Sequence, residues 1–439
     1  MKRYLQTWTG LIVALVALAA GVNYVVDPYG AHRAFVWEGF NARKPDAGTY
    51  GPLVKARGIE RVRPRGLVLG NSRAEVGFDP EHQAWPAEAR PVYNAALPGK
   101  GTHASLRYLQ HALVAGDLRV VVVGLDLMDF LVPPSAVAAG REEGEVVARL
   151  TAGPGDPAGG TLTVQRLRDL GSTLLSLDAL VSSGRAILAS RDPYSRDLTT
   201  LGFNPMHEYE RMAALEGYQA LFEQRDTENL KAYQRRPKNL FVTGSSSSPP
   251  LDDLRRMLDL ARQAGVRTEL IIYPYHANLL ETFGETGLWP TFEQWKRAVV
   301  DLTEDARGRG ADVRLWDFSG YNPVTTEPVP RRGDRSTRMR WYWEAGHFKR
   351  ELGDRVLAEA FARPDGLQGG RAGLGVRLDR GNIDAHLTEV RRSRMAYLAG
   401  DQALAERGRR LPLLLPEAPS AEATSGAAQG SAGPVWPSP

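Results

Sequence analysis

A chain of 439 residues, 43% hydrophobic and 24% charged, has a globular balance and is long enough for more than one domain. Its net charge of +4 is spread over 55 basic and 51 acidic residues with no DNA- or RNA-reading motif, which argues against a nucleic-acid partner. Cysteine is absent, and with it disulfides, thiolate metal sites and a cysteine nucleophile.

The first predicted element is a membrane anchor. Lys2 and Arg3 precede the uncharged run Trp8–Val26, whose 19 residues approach the ~20 that cross a bilayer. The positive flank lies before the run, so residues 1–27 are expected to hold the N-terminus in the cytoplasm and export the rest. A cleavable signal peptide is the alternative, with Ala17-Leu18-Ala19 as its cleavage site, but the apolar run continues past that site through Val25-Val26. Residues 28–60, with Pro28, Gly30, Pro45 and Gly51, read as an irregular connector.

Five short apolar runs follow as strands: Gly66–Gly70, Pro91–Asn94, Arg119–Leu125, Thr268–Tyr273 and Asp312–Phe318. Runs this continuously apolar suit a parallel sheet buried on both faces. Between them lie helical patterns. Leu254, Met257, Leu258 and Ala261 recur at helix spacing before a stop at Gly265, and Phe348, Leu352, Val356 and Phe361 share one side of a later helix. Alternating strands and helices predict a three-layer α/β domain over residues 61–362. Residues 133–250 interrupt it with Gly153-Pro154-Gly155, helices near 163–182 and 206–235, and the break GSSSSPP, and read as a helical insertion, either a lid over the sheet or a plain excursion. A C-terminal extension spans 363–414. The Ala/Gly/Pro/Ser-rich tail 415–439 has few apolar side chains to bury and is expected to be disordered.

The turn after the first strand, Gly70-Asn71-Ser72-Arg73, has two readings: Ser72 caps the next helix, or the turn presents it as a nucleophile. A nucleophilic serine needs a base, and the base needs an orienting group. In YWEAGHFKRELGD (Tyr342–Asp354), Glu344 stands three residues before His347, a spacing that lets the carboxylate accept from the imidazole; a helix cap and a first-turn acid are the structural alternatives. Gly99, in VYNAALPGKGTH, is either an unobstructed N–H donor for an oxyanion or a turn glycine. Gly99-Lys100-Gly101-Thr102 is not a phosphate loop, since no glycine sits five residues earlier and Lys100 is followed by Gly.

A serine after strand one, a glycine after strand two and an acid-x-x-His after the last strand resemble the SGNH hydrolase superfamily over roughly residues 60–130 and 265–362. The resemblance implies a flavodoxin-like three-layer fold, Ser72 as nucleophile, His347 as base, Glu344 as orienting acid and Gly99 as oxyanion donor. Members usually carry Asp where this chain has Glu344. The usual oxyanion-binding Asn after strand three corresponds to Asp126, so that carboxylate must be protonated, turned away or used otherwise, with Asn71 or Arg73 supplying the missing donor. With its anchor, the layout is similar to exported SGNH-like proteins that acylate cell-envelope polymers, such as the D-alanyl transfer protein of teichoic acid modification and the alginate O-acetyltransferases. That resemblance implies an acyl donor, an envelope polysaccharide acceptor and a membrane-bound O-acyltransferase partner at the cytoplasmic (inner) membrane, with the catalytic domain in the periplasm or at the cell exterior. An anchored esterase and a non-catalytic scaffold with a decayed site are the rival expectations. Nothing suggests a metal or cofactor.

Lesser candidates are His276, just past the fourth strand, as a substrate contact or a loop histidine, and Arg73 as an anion ligand or a surface cation. Arg331, Arg332, Arg335, Arg338 and Arg340 form a solvated loop or an anionic-polymer site. Trp289, Trp295, Trp341 and Trp343 are core residues or sugar platforms.

Overall fold

A computed structural model describes residues 1–133, 149–151, 159–362 and 373–400. In chain order, α1 (Lys2–Val26) and α2 (Gly51–Val62) lead into β1 (Gly66–Leu69), α3 (Ser72–Gly77), β2 (Val92–Asn94), α4 (Thr102–Ala115) and β3 (Val120–Leu125). The excursion that follows contains α5 (Gly159–Leu174), α6 (Leu177–Ala189), α7 (His207–Glu216) and α8 (Tyr218–Arg235). Alternation resumes with α9 (Pro249–Gln263), β4 (Arg267–Ile272), α10 (Ala277–Glu285), α11 (Trp289–Gly308) and β5 (Val313–Asp317). The hairpin of β6 (Tyr342–Glu344) and β7 (His347–Phe348) precedes α12 (Arg350–Ala362), β8 (Val376–Arg377) and α13 (Ile383–Leu398).

The central sheet has the order β2-β1-β3-β4-β5-β8. Its first five strands are parallel, with Leu67 of β1 level with Tyr93 and Val121, and only the edge strand β8 is antiparallel. Every residue of β1, β2 and β3 is buried. Side chains alternate between faces, so complete burial means both faces of the sheet are covered. The amphipathic pattern read for α9 holds, with Leu254, Met257, Leu258 and Ala261 all in the core. The fold is mixed α/β with a mostly parallel central sheet.

The structure corrects one expectation and adds detail to two others. The connector is not irregular throughout, because Gly51 and Pro52 open α2 rather than break it. Proline is favoured in a first helical turn, and Leu53, Ala56 and Ile59 then bury one face. Within the excursion, α5 and α6 pack against α1, while α8 contacts the β6–β7 hairpin. The C-terminal extension includes β8 and α13, and α13 is pinned where His386 and Lys296 share the buried carboxylate of Asp317. The tail 415–439 lies outside the described residues.

α1 is long and apolar enough to cross a membrane, and nearly all of its apolar stretch is exposed. Its last turn is fixed into the domain: Asn41 Nδ2 donates to Val25 O at 2.8 Å and Lys44 Nζ to Val26 O at 2.6 Å.

Candidate active site

In an α/β sheet, ligands bind outside the carboxyl ends of the strands where the strand order reverses, here between β1 and β3. The turn leaving β1 carries Ser72. Asn71, not Ser72, caps α3, its Oδ1 accepting from Arg73 N at 3.1 Å. The capping reading of Ser72 is therefore excluded, and its hydroxyl is free to point elsewhere. It lies 2.8 Å from His347 Nε2, while His347 Nδ1 is hydrogen-bonded to Glu344 Oε1. A carboxylate only accepts, so Nδ1 carries the proton and Nε2 accepts from the serine. The three side chains, 275 residues apart along the chain at the extremes, form one hydrogen-bonded relay.

The relay is graded from interior to solvent: Glu344 is 1% exposed, His347 14%, and Ser72 partly exposed. Glu344 and His347 end the two strands of the β6–β7 hairpin, with Ala345 and Gly346 as its turn. Burial alone would raise the Glu344 carboxyl. The His347 ring, Arg225 and the Gly346 N–H outweigh it and hold the group down to about 2. Arg225 reaches in from α8, its Nε 3.2 Å from Glu344 Oε1. Burial of Arg225 is in turn outweighed by Glu344, so its guanidinium titrates above its ordinary value.

Two contacts hold the serine's helix in register with the hairpin. A Cβ on Gly77 would lie 2.0 Å from the Phe348 ring, and one on Gly353 would lie 1.6 Å from Gly77 O. Only glycine permits α3, β7 and α12 to approach this closely. From the other side, Asn94 Nδ2 donates to Ala74 O and Phe78 O at 2.8 and 2.9 Å, and buried Lys55 pairs with Glu75 at 3.0 Å.

The oxyanion and substrate expectations fare differently. Gly99 is the third residue of a turn closed by Lys100 N to Leu97 O at 3.3 Å, with Pro98 before it and φ +68. That is a type II turn, which calls for glycine at this position without any catalytic requirement. Asn71 is not an oxyanion donor through its side chain, because Nδ2 donates to both Asp126 and Asp129, at 2.9 and 3.0 Å. An amide nitrogen has two hydrogens, and both are committed.

Asp126 is turned inward. Its carboxylate pairs with Arg73 and accepts from Asn71, from Tyr275 OH at 3.1 Å and from Met128 N at 3.1 Å. Neither Asp126 nor Arg73 reaches out as a substrate ligand, nor is Arg73 a surface cation: it is buried and lies over the Tyr275 ring at 5.5 Å. Burial would lower its pKa, but Asp126 outweighs that and keeps the guanidinium charged. Beside them, burial and the Asp126 charge push the Asp129 carboxyl well above its usual range. The Asp126 charge is thus cancelled by Arg73, the residue next to the serine.

His276 is a buried cap rather than a substrate contact. Its Nδ1 accepts from Asn278 N at 3.2 Å, its Nε2 donates to Glu327 O at 2.9 Å, and Phe222 and Tyr342 pack edge-on against the ring. Trp295 and Trp343 are core residues, and the arginines from Arg331 to Arg340 lie on an exposed loop. Sequence reasoning missed Arg225, Asp129 and Tyr275. Asp129 sits in the same LDLMDF turn as Asp126, but nothing in the spacing of Arg225 links it to Glu344, 119 positions away.

A shallow cleft lined by Tyr209, Met212, Leu221, Arg225 and Glu344 lies against the carboxylate. Among the described residues, no group of three or more His, Asp or Glu is placed to hold a metal ion. No family model matches this chain, and a search of curated proteins returns no match.

Proposed function

We propose that the protein is a membrane-anchored serine acyltransferase of SGNH type, acting on hydroxyls of a cell-envelope polysaccharide outside the cytoplasmic membrane. The observation that carries the proposal is the Ser72–His347–Glu344 relay at the carboxyl edge of the sheet. The parallel strand order 2-1-3-4-5 is the flavodoxin-like order, consistent with a three-layer SGNH-like arrangement. Lys2 and Arg3 before α1 favour an exported domain.

In this reading Ser72 Oγ attacks the carbonyl carbon of an acyl ester as its proton passes to His347 Nε2. Glu344 stabilises the imidazolium and keeps Nδ1 protonated. The Ser72 backbone N–H, at the first helical position where no intrahelical acceptor exists, and the Gly99 N–H are the donors for the oxyanion. Collapse breaks the bond to the leaving oxygen, which takes the proton from Nε2, and leaves the acyl group on Ser72. A sugar hydroxyl then attacks the acyl carbon, gives its proton to Nε2, and departs as the ester while Ser72 regains a proton. The paired Asp126 presents no uncompensated charge to the oxyanion, which speaks against the decayed-site scaffold.

The partial exposure of Ser72 and His347 favours a second reading, in which water is the acceptor and the protein is an esterase. Full-length protein with a 4-nitrophenyl acyl ester separates the two. Transfer predicts slow hydrolysis, faster ester consumption when an oligosaccharide is added, and acylated sugar by mass spectrometry, all lost in Ser72→Ala. Rapid hydrolysis indifferent to every sugar would assign the esterase, and an inert but folded wild type would remove the enzymatic reading.

A further inference from the structure

α6 is amphipathic in the inverse sense. Its inward residues are small: Ala179, Ser182, Ser183 and Ala186 are buried. Its outward residues are large and apolar: Leu177, Leu180, Val181 and Leu188, at 79%, 37%, 55% and 77% exposure, recur at i, i+3, i+4 and i+11, one face of a helix. The preceding helix α5 likewise exposes Val164, Leu167 and Leu170, and Leu175 is exposed in the turn between them. Water disfavours such a surface, and a contiguous apolar face of this kind marks an interaction site. Small residues inside and large ones outside are the pattern of helices packed within lipid.

The position of this hairpin identifies what covers it. α5 and α6 pack on the C-terminal part of α1. Asn23, fully buried, is the joint: its Nδ2 donates to Leu174 O at 2.9 Å and its Oδ1 accepts from Ser183 Oγ at 2.9 Å. Aromatic side chains mark both ends of α1. Tyr4 and Trp8 pair near the start, while Tyr24, Phe35 and Trp37 cluster at the end, with Phe35 stacked on Trp37 at 5.5 Å. Tyr4 and Tyr24 are about 30 Å apart along a helix rising ~1.5 Å per residue, the thickness of a bilayer's hydrocarbon core. Tyr and Trp concentrate at the two membrane–water boundaries. Asn23 and the hairpin it holds therefore sit at the second boundary.

We propose that the α5–α6 hairpin, with the Phe35–Trp37 loop, is a second, monotopic membrane contact, its leucine face sunk into the acyl boundary of the lipid leaflet at the Tyr24 end of α1. The inference rests on α1 spanning the bilayer and deepens the reading of a tethered enzyme: the domain is seated on the membrane rather than swinging from it. It also replaces the lid expectation for α5 and α6, which pack against the anchor.

The chain has no cysteine, so single cysteines can be placed and labelled in the full-length protein. Leu177→Cys, Val181→Cys and Leu188→Cys test the hairpin, Ile12→Cys tests the anchor, and exposed Arg256→Cys is the control. Each is coupled to an environment-sensitive nitrobenzoxadiazole dye and reconstituted into phosphatidylethanolamine/phosphatidylglycerol vesicles carrying nitroxide lipids. Hairpin labels should lose more than about half their fluorescence to nitroxides near the headgroup and less to those at the bilayer centre, as for a helix lying ~5–10 Å deep. Ile12 should show the reverse preference, and Arg256 neither. Quenching at Ile12 with none at the three hairpin positions would overturn the membrane seat while leaving the anchor intact. No quenching at Ile12 would remove the anchor beneath it. Hairpin labels that stay unquenched in lipid but crosslink to a protein in native membranes would reassign the face to a protein partner.

Discussion

Replacing Arg73 by methionine removes the cation paired with Asp126 while keeping most of the side-chain volume. The Asp126 carboxylate is 1% exposed and would retain only neutral donors: Asn71, Tyr275 and the Met128 N–H. Asp129 adds no relief, since it shares the Asn71 amide and its own carboxyl is already pushed up by burial and by Asp126. Breaking a buried pair by removing one partner costs about 3–5 kcal/mol. At roughly 2 °C per kcal/mol for a domain of this size, Arg73→Met should lower Tm by about 6–10 °C. Removing both charges in Arg73→Met/Asp126→Leu should recover at least about 2 kcal/mol of that loss, because no isolated charge is left in the interior. Thermal unfolding of the detergent-solubilised full chain, followed by tryptophan fluorescence, measures all three proteins. An Arg73→Met variant that melts within about 1 °C of wild type would refute the claim that this pair is what makes an aspartate tolerable beside the serine.

Glu344→Gln places an amide where His347 Nδ1 donates to one oxygen and Gly346 N to the other, so either orientation sets one N–H against another. It also removes the charge behind His347, and phosphonylation of Ser72 should slow by about 10³–10⁴-fold, as for a triad that loses its oriented acid. The Glu344 carboxyl is held at about 2 against an ordinary 4.5, so its contribution is present above pH 4.5 and is lost as pH falls toward 2. That contribution is about 3 kcal/mol. Wild-type Tm should accordingly fall more steeply than that of Glu344→Gln across that window, and parallel curves would count against the assignment. Gly353→Ala forces α12 from the Gly77 carbonyl and should cost about 10²-fold in Ser72 reactivity if it displaces His347 by an ångström, measured in protein whose circular dichroism is unchanged.

Much of this arrangement was legible because it is local. The five parallel strands are short apolar runs bounded by turn residues, and each was placed to within one or two positions. Ser72, Glu344 and His347 stood out because a turn serine and an acid-x-x-His segment are recognisable wherever they fall. What escaped the sequence depends on distant pairing. Asp126 looked hostile to an oxyanion until Arg73, 53 positions away, was found on it. His276 looked like a loop residue at the sheet edge because its ring acceptor, Glu327 O, belongs to a segment that periodicity does not describe. Gly51 reads as part of an irregular connector although it stands beside Pro52, and a proline at a helix start is a beginning. The sequence places a helix near 163–182 but does not say which face it buries, and burial shows that the small residues of α6 face inward.

The central claim is that Ser72 is an activated nucleophile, and active-site phosphonylation tests it most directly. Full-length protein treated with a fluorophosphonate should yield one adduct, on the tryptic peptide containing Ser72, with the rate collapsing in His347→Ala and the adduct absent in Ser72→Ala. Folded wild-type protein that leaves Ser72 unmodified, or that carries the phosphonate on a different serine, would contradict the account.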